Sequence, residues 1–186
     1  MKAEGCVKSR RPVNSDVRRT KLIGEDRMSE SLRRNLFLAL CALVLLHTGV
    51  HLSQSFINYP GWYVLEAESF KAYHYPMSIR AGIFGAAPRL LELVLALVVL
   101  RFPPYGVPRW ILMVGIALAS GALLSTALIS RPIHAQLDIQ GNTPALVSRL
   151  IATDWIRNVL EWARTALYVW TLSRLLASGA GGRPAT

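Results

Sequence analysis

The stretch DWIRNVLEWAR, residues 154–164, places Asp154, Arg157, Glu161 and Arg164 inside a run that is otherwise apolar. At about 100° per residue these four share one arc of a helix with Asn158, Thr165 and Tyr168, while Trp155 and Trp162 point elsewhere. Their spacing suits ion pairs: Asp154 with Arg157 at i+3, Arg157 with Glu161 at i+4, Glu161 with Arg164 at i+3. Two more polar stripes accompany them. His47, His51, Gln54 and Asn58 recur every three or four residues, and Arg89 stands one turn from Glu92, beside Pro88. Together these groups suit acid–base chemistry on a bound molecule. His47 or His51 would be the base, Glu92 and Glu161 the orienting partners, and Arg157 and Arg164 the charges beside an oxyanion. Gln54, Arg89, Asp154 and Asn158 complete the candidate catalytic set.

A metal is the alternative reading of four of these residues. His47 and His51 form an H-x-x-x-H pair on one helical face, and Glu92 with Glu161 would complete a site of two histidines and two carboxylates. The E-x-x-H motif of di-iron bundles is missing. A haem held between helices needs axial ligands from opposite sides, but His47 and His51 share a helix and His74 and His134 fall in connections. No cofactor is therefore predicted, with metal and haem left open.

These residues need elements that hold them, and the composition says which kind. The chain has 186 residues, 52% of them hydrophobic, and a formal charge of +10. Apolar runs at about 35–57, 77–100, 108–130 and 147–177 each approach or exceed the roughly 20 residues that cross a bilayer. Runs this long and continuous are helices rather than barrel strands. The predicted fold is all-α: a polytopic four-helix membrane bundle over residues 35–177. Residues 1–34 are read as a basic, unstructured cytoplasmic tail and 178–186 as a flexible one. Residues 1–34 carry ten Lys or Arg against five Asp or Glu, Arg101 and Arg109 flank the second connection, and Arg174 follows near the end. The positive-inside rule puts both termini and that connection in the cytoplasm of a bacterial inner membrane. This distribution also argues against nucleic acid as the partner and for the lipid bilayer, with a hydrophobic small molecule as the further candidate. Nothing in the sequence fixes a protein partner or an oligomeric state.

The first connection, INYPGWYVLEAESFKAYHYP, is rich in Tyr and Trp. It is expected to form a short interfacial segment between helices 1 and 2, bounded by Pro60-Gly61 and Pro76. Pro88 should kink helix 2. RPIHAQLDIQGNTP reads as a polar outer connection. On helix 3, Gly115, Ala119, Ala122 and Thr126 form a small-residue face for close packing. Cys6 and Cys41 are not expected to pair, and no C-x-x-C occurs. The N-terminus lacks the pattern of a cleavable signal peptide, and Met28 is an alternative start to Met1.

Each ionised group at the centre of a membrane helix costs about 2.5–3.5 kcal/mol, so four facing lipid would oppose insertion by about 10 kcal/mol or more. The charges must face protein or water. Alternating topology brings the stripes of helices 1, 2 and 4 to one depth, where Arg89, Arg157 and Arg164 balance Glu92, Asp154 and Glu161. Either they line a polar intramembrane cavity or they only fix helix register. The first makes the chain an enzyme, the second a non-enzymatic membrane subunit.

NYPGW after helix 1, ESFKAYH before helix 2, Pro88, RPIHAQL and TDWIRNVLEWAR together resemble the anthrone-oxygenase-like group of small four-helix membrane proteins. The resemblance spans about residues 35–175, with Pro132, Leu137, Trp155 and Arg164 at the positions of the group's late signature. His134 stands where a short amide is more usual there, and Glu161 and Ala163 replace a histidine often found before the final arginine. The resemblance implies oxidation of a hydrophobic aromatic or quinone-like molecule, assisted by acid–base groups and without an obvious metal or flavin.

Overall fold

Four long helices make up the protein in a computed structural model that describes residues 28–180. α1 runs Glu30–Val64, α2 Ala67–Arg101, α3 Arg109–Gln140 and α4 Pro144–Ala180. No strand occurs among the described residues. The basic extension 1–27 with its Cys6, and residues 181–186, lie outside them.

α1, α2 and α3 are each long and apolar enough to cross a membrane. Midway along the helices the burial pattern differs from that of a water-soluble bundle. Phe84 and Leu128 are 74% and 72% exposed on the outside, whereas Glu161 and Arg164 are each 1% exposed within. Apolar side chains turned out and charges turned in are what a lipid solvent imposes on a helical bundle.

All four helices outrun the lengths expected from hydrophobicity, for identifiable reasons. α1 begins at Glu30 because Ser29 caps it, its side chain accepting the Leu32 N–H at 3.3 Å. Tyr105 N–H reaches back to Glu30 Oε1 at 2.9 Å, so the second connection closes on the same helix start. At its far end α1 does not stop at Pro60 but continues to Val64 and breaks at extended Leu65 and Glu66. The expected interfacial segment bounded by Pro60-Gly61 and Pro76 is therefore not a separate helix. Its second half is the beginning of α2, with Pro76 inside it. RPIHAQLDIQ, expected as a connection, is the last part of α3, and Gly141 at φ +77° ends it. That backbone angle suits glycine because a Cβ would clash there.

Proline explains how the helices run on. Each of three π-turns, Gln54–Asn58, Gly82–Ala86 and Thr126–Ser130, lies two residues before a proline: Pro60, Pro88 and Pro132. A proline cannot donate to the carbonyl four residues back, and its ring presses on that carbonyl. The wider turn relieves both problems. Tyr59 N–H reaches Gln54 O and Arg131 N–H reaches Thr126 O, one residue further back than in an α-helix. At Pro88, where a kink is expected, the helix carries a π-turn just ahead of the proline.

The helices pack as a ring in which α1 meets α2, α2 meets α3, α3 meets α4 and α4 closes on α1. Three layers fill it. Near the ends that carry the chain termini lies an apolar cluster that includes Phe37, Leu40, Val44, Val99, Leu112 and Tyr168. At the opposite, distal end a second cluster includes Tyr59, Trp62, Phe70, Leu137 and Leu150. The charged residues lie between them.

The small-residue face of α3 does what its pattern suggests, since Gly115, Ala119 and Ala122 are buried. Gly115 gives its space to the Tyr168 ring, whose Cε2 would stand 2.6 Å from a Cβ added there. Gly115→Ala should gain up to about 1 kcal/mol in helix propensity but lose about 1–3 kcal/mol to overpacking. A lowered melting temperature in detergent is expected, and an unchanged melt would show that the ring yields freely.

Candidate functional site

The polar layer divides into two neutral groups. In the first, Arg89 Nη1 donates to both oxygens of Glu92 at 3.0 and 3.2 Å, and Arg89 Nη2 donates to Glu161 Oε1. Arg164 donates to Glu92 Oε1 and to Glu161 Oε2, each at 2.5 Å. The result is a closed ring of two arginines and two glutamates, each arginine on both carboxylates. None of the four is more than 4% exposed. Arg89 and Glu92 come from α2, Glu161 and Arg164 from α4, the two helices on opposite corners of the bundle. Long side chains bridge a span that small ones would leave open.

The second group sits nearer the distal end, where the π-turns of α1 and α3 flank α4. Arg157 Nη2 donates to Asp154 Oδ1 and, at 3.3 Å, to the Tyr59 hydroxyl. Arg157 Nη1 reaches Thr126 Oγ1 at 3.3 Å. Ser55, in the π-turn of α1, donates to Asp154 Oδ2 and also lies 3.2 Å from Asn158 Oδ1. Asp154 is 1% exposed, so these donors stand in for the water it has lost.

The six expected charged residues and Asn158 are thus brought to one layer, with one pairing corrected. Arg157 binds Asp154, as i+3 spacing suggests, but its expected i+4 partner Glu161 is held instead by Arg89 and Arg164. His51 Nδ1 lies 3.3 Å from Ser55 Oγ, which joins it to the second group. His47 is half-buried one turn earlier on α1. Gln54 accepts from Asn58 Nδ2 at 2.8 Å. Glu92 and Glu161, the carboxylates of the possible metal set, each hold two arginines. Among the described residues no group of three or more His, Cys, Asp or Glu is arranged to hold a metal ion.

A third constellation was not among the expected site residues. At the distal end His74, from the first part of α2, and His134, from the last part of α3, lie parallel with ring centroids 5.3 Å apart. Asp138 Oδ1 is 2.6 Å from His74 Nδ1, and His74 Nε2 is 3.1 Å from His134 Nδ1. That separation leaves no room for a haem iron between the two imidazoles. Trp62 meets His74 edge-on at 5.0 Å and Phe70 stacks on its other side at 4.9 Å. Both histidines line an open cleft of about 60 Å³ with Gln54, Tyr59, Trp62 and Met77. Of the ten candidate catalytic residues, only Gln54 reaches it. The i+4 spacing of His134 and Asp138 was the one local signal for this site, and the partner that completes it lies 60 residues earlier.

No family model, curated protein or solved structure matches the chain.

Proposed function

We propose that the chain is a four-span protein of the bacterial inner membrane that takes a hydrophobic, aromatic or quinone-like molecule into the distal cleft. The proposal makes α4 the fourth span. Asp154, Arg157, Glu161 and Arg164 turn inward, Arg149 and Arg174 lie exposed nearer its two ends, and Trp155, Val159, Trp162 and Val169 are exposed on its outward face. Arg33, Arg34, Arg101, Arg109 and Arg174 gather at the end of the termini, which supports a cytoplasmic location for that end and an outer location for the cleft. The likeness to the anthrone-oxygenase-like group, with its aromatic substrates, belongs to the same reading.

The observation that carries it is the cleft itself, where Tyr59 and Trp62, packed edge to face at 5.0 Å, and two imidazoles line one opening. At about 60 Å³ it encloses one edge of a ring, so the rest of the molecule stays in the bilayer. The chemistry that the protein supplies there is proton transfer, with the reacting end of the substrate held by aromatic contact. The Arg89–Glu92–Glu161–Arg164 ring has the other task considered above, that of fixing helix register. Its two positive and two negative charges balance, with each arginine on both carboxylates, which leaves little charge for a substrate although Arg164 Nε has no partner.

Binding of 1,4-naphthoquinone tests this. The protein has five tryptophans, so the comparison is between wild type and Ala81→Phe, whose ring fills the cleft that Ala81 lines. Quenching of tryptophan emission should saturate in the wild type and be lost in the variant. Equal quenching in both would overturn the reading.

A further inference from the structure

We infer that the distal cleft is an acid–base site for a weakly acidic hydroxyl on a lipid-borne ring, with His134 as the base and His74 and Asp138 as its proton relay. The inference rests on the reading that a ring-bearing molecule enters this cleft, and it adds the chemistry that would occur there.

Hydrogen-bond direction fixes the roles. Asp138 carries only acceptors when ionised, so it accepts the Nδ1–H of His74. With both imidazoles neutral, His74 Nε2 is then a lone pair that accepts the Nδ1–H of His134 at 3.1 Å. The second nitrogen of His134, Nε2, keeps its lone pair. No protein hydrogen bond among the described residues uses it, and His134 lines the cleft. A carboxylate that orients one imidazole is the usual way to set a tautomer, and here the order passes through two rings.

The line also has an exit. His74 is 1% exposed, sealed by Trp62 and Phe70. The Asp138 side chain is 30% exposed at the distal surface. When a ligand O–H gives its proton to His134 Nε2, the Nδ1 proton of His134 can pass to His74 and that of His74 to Asp138. One ligand O–H bond breaks, each imidazole gains an N–H at Nε2 and loses the one at Nδ1, and the proton that reaches Asp138 leaves to water, so both rings end neutral as the other tautomer. No electron moves.

The oxygen left behind needs a donor, and Tyr59 is the candidate among the cleft's lining residues. Tyr59 lines it and accepts from Arg157 through its hydroxyl oxygen at 3.3 Å, so its own hydrogen remains for an acceptor. Arg157, though partnered by Asp154, places a positive charge behind that hydroxyl. An anionic ring oxygen between Tyr59 and His134 would meet a donor backed by a cation on one side and the newly protonated imidazole on the other.

4-Nitrophenol is the probe, because its absorbance reports the fraction ionised. It is titrated with pH against the full-length protein in mild detergent, with Ala81→Phe as the blank for micelle partitioning. The bound phenol should ionise about one pH unit or more below the free one. His134→Gln should keep binding but abolish that displacement, and Asp138→Asn, which loses the orienting charge, should shrink it. A bound phenol with an unmoved midpoint, or a midpoint that ignores His134→Gln, would overturn the acid–base role while leaving the cleft reading intact. Naphthoquinone binding without nitrophenol binding would also overturn it. Failure of both probes to bind would instead remove the cleft reading on which the inference stands.

Discussion

Glu161→Ala should destabilise the bundle by about 3–5 kcal/mol, the range for removing one partner of a buried ion pair. The loss leaves two guanidinium groups sharing one carboxylate, Glu92, in the middle of the fold. Detergent-solubilised protein would melt at a markedly lower temperature or fail to assemble. The double replacement Glu161→Leu with Arg164→Leu should recover much of that loss. It removes one positive and one negative charge together and leaves Arg89 on Glu92 at 3.0 Å. Buried ion pairs replaced by apolar side chains of similar size are often neutral or better. Pairwise coupling makes the test sharper. Glu161 should couple strongly to Arg164, which it touches, and more weakly to Arg157, which is turned to Asp154. Equal melting of wild type and Glu161→Ala would end the structural account of the ring.

The layering gives a physical reason for confining charge to the centre. Lipid cannot drive helices together as water does, because its chains are as apolar as leucine. Packing and polar contacts must supply specificity. An apolar layer near the termini and an aromatic one at the distal end would pack in several registers, but two guanidiniums must meet two carboxylates in one. Thr48 and Thr165, 2.7 Å apart, add a smaller contact of the same kind between α1 and α4.

Much of this arrangement was legible from residue type and spacing. The polar arcs of three helices, their shared depth and the charge balance follow from 3.6-residue periodicity and the cost of charge in lipid. Pairing within the layer was less legible. Arg157 and Glu161 are good helical neighbours by spacing, yet Arg89 arrives from across the bundle and takes Glu161, which no local pattern encodes. Helix ends differ from those expected because proline and polar composition signal breaks in water. Here three π-turns absorb Pro60, Pro88 and Pro132, and RPIHAQLDIQ stays helical to Gly141. The same difference conceals the cleft at the level of sequence. Once His74 and His134 are assigned to separate loops they have no reason to meet. Placed on the distal ends of α2 and α3, they lie side by side.

Arg157→Ala should cost about 3 kcal/mol or more in stability, because Asp154 keeps its burial and loses its cation. Its loss should sit at the low end of the buried-pair range. Ser55 still donates to the carboxylate, and the Asn158 side-chain nitrogen lies 3.4 Å from it. Asp154→Asn in the same background removes the stranded charge and should restore part of the melting temperature. Arg157→Lys separates charge from shape. A lysine keeps the cation near Asp154, but one ammonium cannot reproduce the planar fork that reaches Asp154, Tyr59 and Thr126 together. Stability should therefore return largely in Arg157→Lys, while the ionisation displacement of bound 4-nitrophenol should remain reduced, because Tyr59 has lost its backing donor. If both properties returned together, charge alone would explain Arg157. A return of stability without the displacement would mean that the guanidinium joins the buried layer to the cleft, carrying the positive charge of α4 through Tyr59 to the place where a ligand oxygen would sit.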